Sequence, residues 1–240
     1  RQHMKATASQ QADLLSLANL DLQITRSKAA IKNLSSGAQF AALRETQREL
    51  ASKLIEARNA LDSVNLELKR SETDLQLVEQ RIAKDQQRLN STNNSKDAQG
   101  IQSELESLAR RKSDLEDIEL AILDQQEAAK AAFETVSVDK AGIDEELSAA
   151  EAKDEAELLK LRSGLDLFTT DRNQQASRIA PELLELYEKK ATRGVPVASL
   201  NGRECGACRI SLGATAFNEL LALAQDDIAT CPECQAILIR

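Results

Sequence analysis

"LIEARNALDSVNLELKRSETDLQLVEQRIAKDQQRL", Leu54–Leu89, places an apolar residue at every seventh position: Leu54, Leu61, Leu68, Leu75, Ile82 and Leu89. A companion series is offset by three and reads Leu43, Leu50, Ala57, Val64, Ser71 and Val78. Together they form a seam sustained for about six heptads, the pattern that winds helices into a left-handed supercoil. A second seam follows: Ile101, Leu108, Leu115, Ile122, Ala129, Val136, Ile143 and Ala150. Its companions are more polar and include Leu105, Lys112, Glu119, Gln126, Phe133, Lys140 and Leu147. Near Leu158, Leu161, Leu165 and Phe168 the phase slips by about four residues, a stutter that relaxes the supercoil.

Between the seams lies "NSTNNSKD", Asn90–Asp97, a run of turn formers. Asn94 is placed to cap the following helix, with Asp97 favouring its positive end. Residues 6–90 and 97–180 are arms of 85 and 84 residues. Fully helical, each would span about 125 Å. Equal arms on a short turn predict an antiparallel hairpin within one chain, against the alternative of a continuous rod dimerising in parallel. Polar seam positions such as Lys112 and Glu119 leave room for self-association, so a monomer or weak dimer is expected. "NLSSGAQ", Asn33–Gln39, interrupts the first arm, and Gly37 there is expected to end or kink a helix at about 35–37.

Composition supports this reading. The 240 residues include four Phe, one Tyr and no Trp, too few large side chains for an ordinary globule, while charged residues make up 29%. The net charge of −8 gives no global attraction to nucleic acid or acidic membranes. No apolar run is long enough for a membrane span, and no signal peptide is apparent, so a cytoplasmic protein is expected. "RQHM" reads as an expression remnant ahead of a start at Met4, and His3 is the single histidine. Residues 1–5 are therefore set apart as remnant and N-terminus, and 6–180 as the hairpin, its tip at about 90–97. Residues 181–194 are expected to form a linking helix begun by Pro181.

All four cysteines fall in the last segment, 195–240, as Cys205-Gly-Ala-Cys208 and Cys231-Pro-Glu-Cys234. Two such turns suit one tetrahedral Zn²⁺ held by four thiolates. Four sulfurs close the shell and leave no place for an activated water, which makes the site structural. A segment this small also needs such a staple. Zinc is favoured over a disulfide pair, for which nothing indicates secretion, and over a thioredoxin-like centre, for which no βαβ pattern is present. An iron–sulfur cluster also takes four thiolates. A short amphipathic helix is expected around Ala214–Ala224, with strands before the first knuckle and at the end. The fold class is thus mostly α: a long antiparallel coiled-coil hairpin with a small α+β zinc ribbon.

This order of parts resembles the bacterial coiled-coil hairpin proteins that end in a four-cysteine zinc ribbon. The resemblance covers nearly the whole chain and is carried by the cysteines and by "NSKDAQGIQSELESLARRKSDLED", Asn94–Asp117. Lys96 matches the lysine usual in that family, while Asp97 stands for its Glu and Ile101 for its Leu. Arg209 and Gln235 stand after the second cysteine of each knuckle, where that family often has Gly. The resemblance implies a non-enzymatic interaction protein. Some members act in flagellar or secretion gene regulation through an alternative sigma factor, and RNA binding has been proposed for some.

The function expected is an interaction or scaffold protein, with regulation in view. The rod would space a tip contact at Asn94, Lys96 and Asp97 from a zinc-ribbon docking module, and the partner would be a protein. Nucleic-acid binding through Arg203 and Arg209, which flank the first knuckle, is the alternative. No phosphate-cradling glycine loop, no nucleophile–base pair and no open metal position point to an enzyme or a small-molecule substrate.

Overall fold

The computed structural model describes residues 4–240, so Arg1–His3 of the expected remnant lie outside the described residues. The chain divides into two compact units, Phe40–Glu151 and the combination of Arg1–Gln39 with Ala152–Arg240. Helix α1 is Ala8–Ser35, α2 is Ala41–Ser91 and α3 is Ser95–Ser177, so α3 contributes residues to both units. Helix α4 follows at Pro181–Ala191.

In the Phe40–Glu151 unit, α2 and the first part of α3 form the antiparallel hairpin. The seam residues are its buried or half-buried positions: Leu54, Leu61, Leu68, Leu75, Ile82 and Leu89 on α2, Ile101, Leu108, Leu115 and Ile122 on α3. Cross-helix polar bonds fix the register. Gln47 donates to Asp144 at 2.6 Å, Gln126 donates to Asn65 at 2.6 Å, and Lys112 pairs with Glu79 at 2.8 Å. Moving 18 positions along α2, from Gln47 to Asn65, moves 18 back along α3, from Asp144 to Gln126; the step to Glu79 and Lys112 is 14 on each. The two helices therefore keep one phase over this length, with no stutter.

The polar seam residues of α3 are thus bonded rather than orphaned. Lys112 reaches Glu79 and Glu116, and Lys140 reaches Asp144 at 2.6 Å. Two buried seam atoms, Oγ of Ser71 on α2 and Oε2 of Glu119 on α3, have no partner among the described residues. Asp85 also occupies the seam, one heptad past Val78, and is 0% exposed. It accepts from Arg81 Nε at 3.0 Å and Arg88 at 2.9 Å, and Arg81 continues to Glu104 on α3 at 2.6 Å. Burial pushes its carboxyl up, but the two arginines outweigh this and hold it below the usual carboxylate range.

The turn follows from local chemistry. Asn94 Oδ1 accepts from the Lys96 N–H at 3.0 Å, and its carbonyl accepts from Ala98 at 2.9 Å, which caps α3. At the other interruption, Ser36 caps the end of α1 and Gly37 adopts φ 67°, a backbone only glycine takes without strain.

The second unit holds α1, the remainder of α3, α4 and the terminal module. Thr7 and Gln10 close a capping box at the start of α1. Leu14 and Leu17 of α1 pack with Ile179, Leu183, Tyr187, Val197 and Ile237 in one buried core. Tyr187, fully buried, donates to Asp21 at 2.6 Å, and Arg172 donates to the other Asp21 oxygen at 3.0 Å and to Glu188. Burial, then the Asp21 bond, keep the Tyr187 hydroxyl protonated well above its ordinary range.

The module carries β1 (Val197–Asn201), β2 (Glu204–Cys205), α5 (Ala214–Ala222), β3 (Ala229–Thr230) and β4 (Ile237–Ile239). The sheet order is β2-β1-β4-β3, with β1 and β4 parallel and the outer pairs antiparallel. Met4 and Lys5, set apart as N-terminus in the sequence reading, belong to this module. Lys5 bridges Asp227, the Met4 carbonyl accepts from Ile228, and Ala6 N–H donates to Asp226 at 2.8 Å. The cause is the backbone beside β3, whose polar groups need partners that the short sheet does not supply.

Replacing Leu115, 4% exposed in the seam, by Ala should lower unfolding stability by about 2–5 kcal/mol in a denaturant titration, whereas Ile118→Ala, at a site 48% exposed, should change it by less than about 0.5 kcal/mol.

Candidate metal centre

Each Cys-x-x-Cys knuckle is a tight turn with the same bonds. The Arg209 N–H donates to the Cys205 carbonyl at 2.8 Å, and the Cys205 N–H to the Ile210 carbonyl at 3.1 Å. In the second, the Gln235 N–H donates to Cys231 at 3.0 Å and the Cys231 N–H to Ala236 at 2.9 Å. Closing the turn requires a left-handed residue after the second cysteine, and Arg209 (φ 58°) and Gln235 (φ 65°) supply it without being glycine. Gly206 has a steric role: a Cβ there would meet the Ser199 carbonyl oxygen at 2.6 Å. Its N–H donates to that same oxygen at 3.0 Å, joining the first knuckle to β1.

These turns bring the four sulfurs within 4.8 Å of one another. Cys205 and Cys234 are 3.8 Å apart, and Cys208 and Cys231 3.9 Å. Four sulfurs at about 2.3 Å from a tetrahedral Zn²⁺ stand about 3.8 Å from each other, so the cluster has the size zinc requires. The separations are nearly twice a disulfide bond of about 2.0 Å. Cys205 and Cys231 are buried, Cys208 is half-buried and Cys234 is exposed.

The thiols are not equivalent. Desolvation, aided by the neighbouring thiols, pushes Cys234 up to about 12, and burial pushes Cys205 up. Cys231 is desolvated as well, but the N–H groups of Cys234 and Glu233 outweigh that and draw it down. A divalent cation is what allows all four to be thiolates together.

The sequence matches the CT398-like coiled coil hairpin domain over residues 17–195. The chain belongs to this family. Residues 205–238 match the C4-type zinc ribbon domain, and with the sulfur geometry this establishes one structural zinc site. An uncharacterized protein of Mycobacterium tuberculosis is 32% identical over 240 residues, covering 99% of this chain and 98% of the relative. An uncharacterized protein of Mycobacterium leprae is 25% identical over 230 residues, covering 92% and 96%. A solved structure from Mycobacterium smegmatis superposes with a TM-score of 0.81 at 32% identity, covering 99% of this chain and all of that one. CT398 of Chlamydia trachomatis shares the fold at a TM-score of 0.59 and 18% identity, over 96% of this chain and 97% of that one.

The other residues singled out by sequence fall in separate places. Arg203 and Arg209 are both exposed beside the first knuckle, and the Arg203 guanidinium lies over the Phe217 ring at 5.3 Å. In the hairpin unit, Lys96 and Asp97 are exposed beside a shallow groove shared with Arg88, Ser91, Thr92 and Glu104. The Asn94 side chain is engaged in capping α3.

Two supporting residues were not legible as such. Lys190, near the end of α4, donates to the Gln235 carbonyl beside Cys234, in addition to favouring its helix dipole. Arg240 donates to the carbonyls of Leu220, Leu223, Ala224 and Asp227, satisfying the open end of α5.

Arg209→Gly and Gln235→Gly should each raise the stability of the zinc-loaded chain by about 1 kcal/mol, read by thermal unfolding, because they relieve left-handed strain. Zinc affinity should fall with acidification. At neutral pH Cys205 and Cys234 hold protons that binding must displace, so chelator competition should show at least about a hundredfold loss per pH unit lowered.

Proposed function

We propose that this chain is a non-enzymatic interaction protein of the cytoplasm, using the α2–α3 turn of one unit and the zinc ribbon of the other as two docking surfaces. The observation that carries the reading is the closed four-sulfur site. Its ligands are all protein sulfurs, so the metal shapes a surface and leaves no position at which to activate water. Around it the ribbon presents Arg203, Arg209 and the half-exposed Ile210 to solvent. At the turn, Lys96 and Asp97 line a groove of mixed charge, a surface suited to a polar protein segment. A four-thiol site also favours a reducing compartment.

A second reading, nucleic-acid binding by the ribbon, draws on Arg203 and Phe217. A guanidinium stacked on an aromatic ring is a platform on which a base can stack, and Arg209 is near enough in sequence to add a phosphate contact.

Reversing charge at each surface separates these readings. Lys96→Glu with Asp97→Lys, and Arg203→Glu with Arg209→Glu, should each abolish at least one specific crosslinked protein partner while leaving helicity and zinc content intact. Retention of every partner by both double variants would overturn the interaction reading. Binding of single-stranded RNA or duplex DNA that weakens steeply with salt and is lost on Arg203→Glu would establish the second.

A further inference from the structure

We propose that Cys234 is a modification site: the one zinc-ligating sulfur open to hydroperoxides and soft electrophiles, with Cys205 as the sulfur that resolves it into a disulfide. Three observations converge on it. Cys205 and Cys231 are 0% exposed and Cys208 is half-buried, whereas Cys234 is exposed. Backbone N–H groups crowd the buried sulfurs. Ala207 and Cys208 face Cys205, and Glu233 and Cys234 face Cys231, while Cys234 has Ala236 alone. Donors on a thiolate draw away the electron density with which it attacks, so Cys234 keeps more nucleophilic character than Cys205 or Cys231. Finally, the Lys190 ammonium sits on the Gln235 carbonyl next to Cys234, a positive charge placed to favour the anionic sulfur and the anion that leaves it.

The chemistry is balanced by the sulfurs present and one hydroperoxide. The Cys234 thiolate attacks the near oxygen of the peroxide; an S–O bond forms, the O–O bond breaks, and the far oxygen leaves with its electron pair as hydroxide or alkoxide. The sulfur is oxidised by two electrons and the peroxide reduced by two. Cys205, 3.8 Å away, then attacks the Cys234 sulfenic sulfur. An S–S bond forms, the S–O bond breaks, and hydroxide departs to take a proton from water. Two of the four zinc ligands are consumed, so the metal is released and the ribbon loses the staple between its knuckles. Reduction by a dithiol, with zinc present, reverses the change.

The zinc-loaded full chain tests this directly. Under limiting N-ethylmaleimide, peptide mapping should place the first adduct on Cys234. Under hydrogen peroxide, a chromogenic chelator should record about one zinc per chain, in step with a Cys205–Cys234 disulfide and ahead of any loss of helicity. Cys234→His, which keeps four ligands, should slow release by about tenfold or more. Adducts spread evenly over the four cysteines, a first bridge between Cys208 and Cys231, release only after unfolding, or an unchanged rate in Cys234→His would each overturn the proposal.

Discussion

A helix with apolar residues only at every third and fourth position has one narrow stripe that water rejects, and it gains stability by laying that stripe against another. In the Phe40–Glu151 unit this constraint governs the rest. Leu54 to Leu89 on α2 and Ile101 to Leu147 on α3 cover one another, and the outward faces are left to charge. The hydrophobic seam sets that the helices meet. The polar bonds Gln47–Asp144, Asn65–Gln126 and Glu79–Lys112 set where they meet, because a slip by one heptad would leave buried or half-buried polar groups without partners.

The terminal module solves a different problem. Its apolar core is small, and the strands β2 and β3 are two residues each. Four sulfurs supplement that small core, and side chains from the N-terminal segment, α1 and α4 add further bonds. Gln11 of α1 donates to the carbonyls of Ala6 and Gln225, Lys5 pairs with Asp226 at 3.0 Å, and Lys190 holds the second knuckle. The module is thereby integral to the unit that contains α1 and α4. Tyr187 and Asp21 tie those two helices through a buried hydroxyl.

Much of this was legible from residue spacing. Heptads state which face is buried; Asn94 and Gly37 state where helices start and stop; paired Cys-x-x-Cys turns state a four-sulfur site. The parts that were not legible depend on encounters between distant residues. Asp85 falls on the heptad spacing of the seam, but spacing alone does not show that Arg81 and Arg88 enclose it there. The guanidinium of Arg240 serves four carbonyls, three of them at the end of α5 or just past it. Met4 and Lys5 carry no pattern at all, and their place beside Ile228 and Asp227 is a backbone matter.

The sequence by itself determined the helices, the turn, the antiparallel hairpin and the zinc ligands, because periodicity and ligand spacing act over short stretches of chain. Only the tertiary structure decided which cysteine of the four is exposed, which arginines remain exposed beside the first knuckle, and that two non-glycine residues bear left-handed backbone there. Exposure, pairing and strain are properties of how segments far apart in sequence close on one another, and no local pattern encodes them.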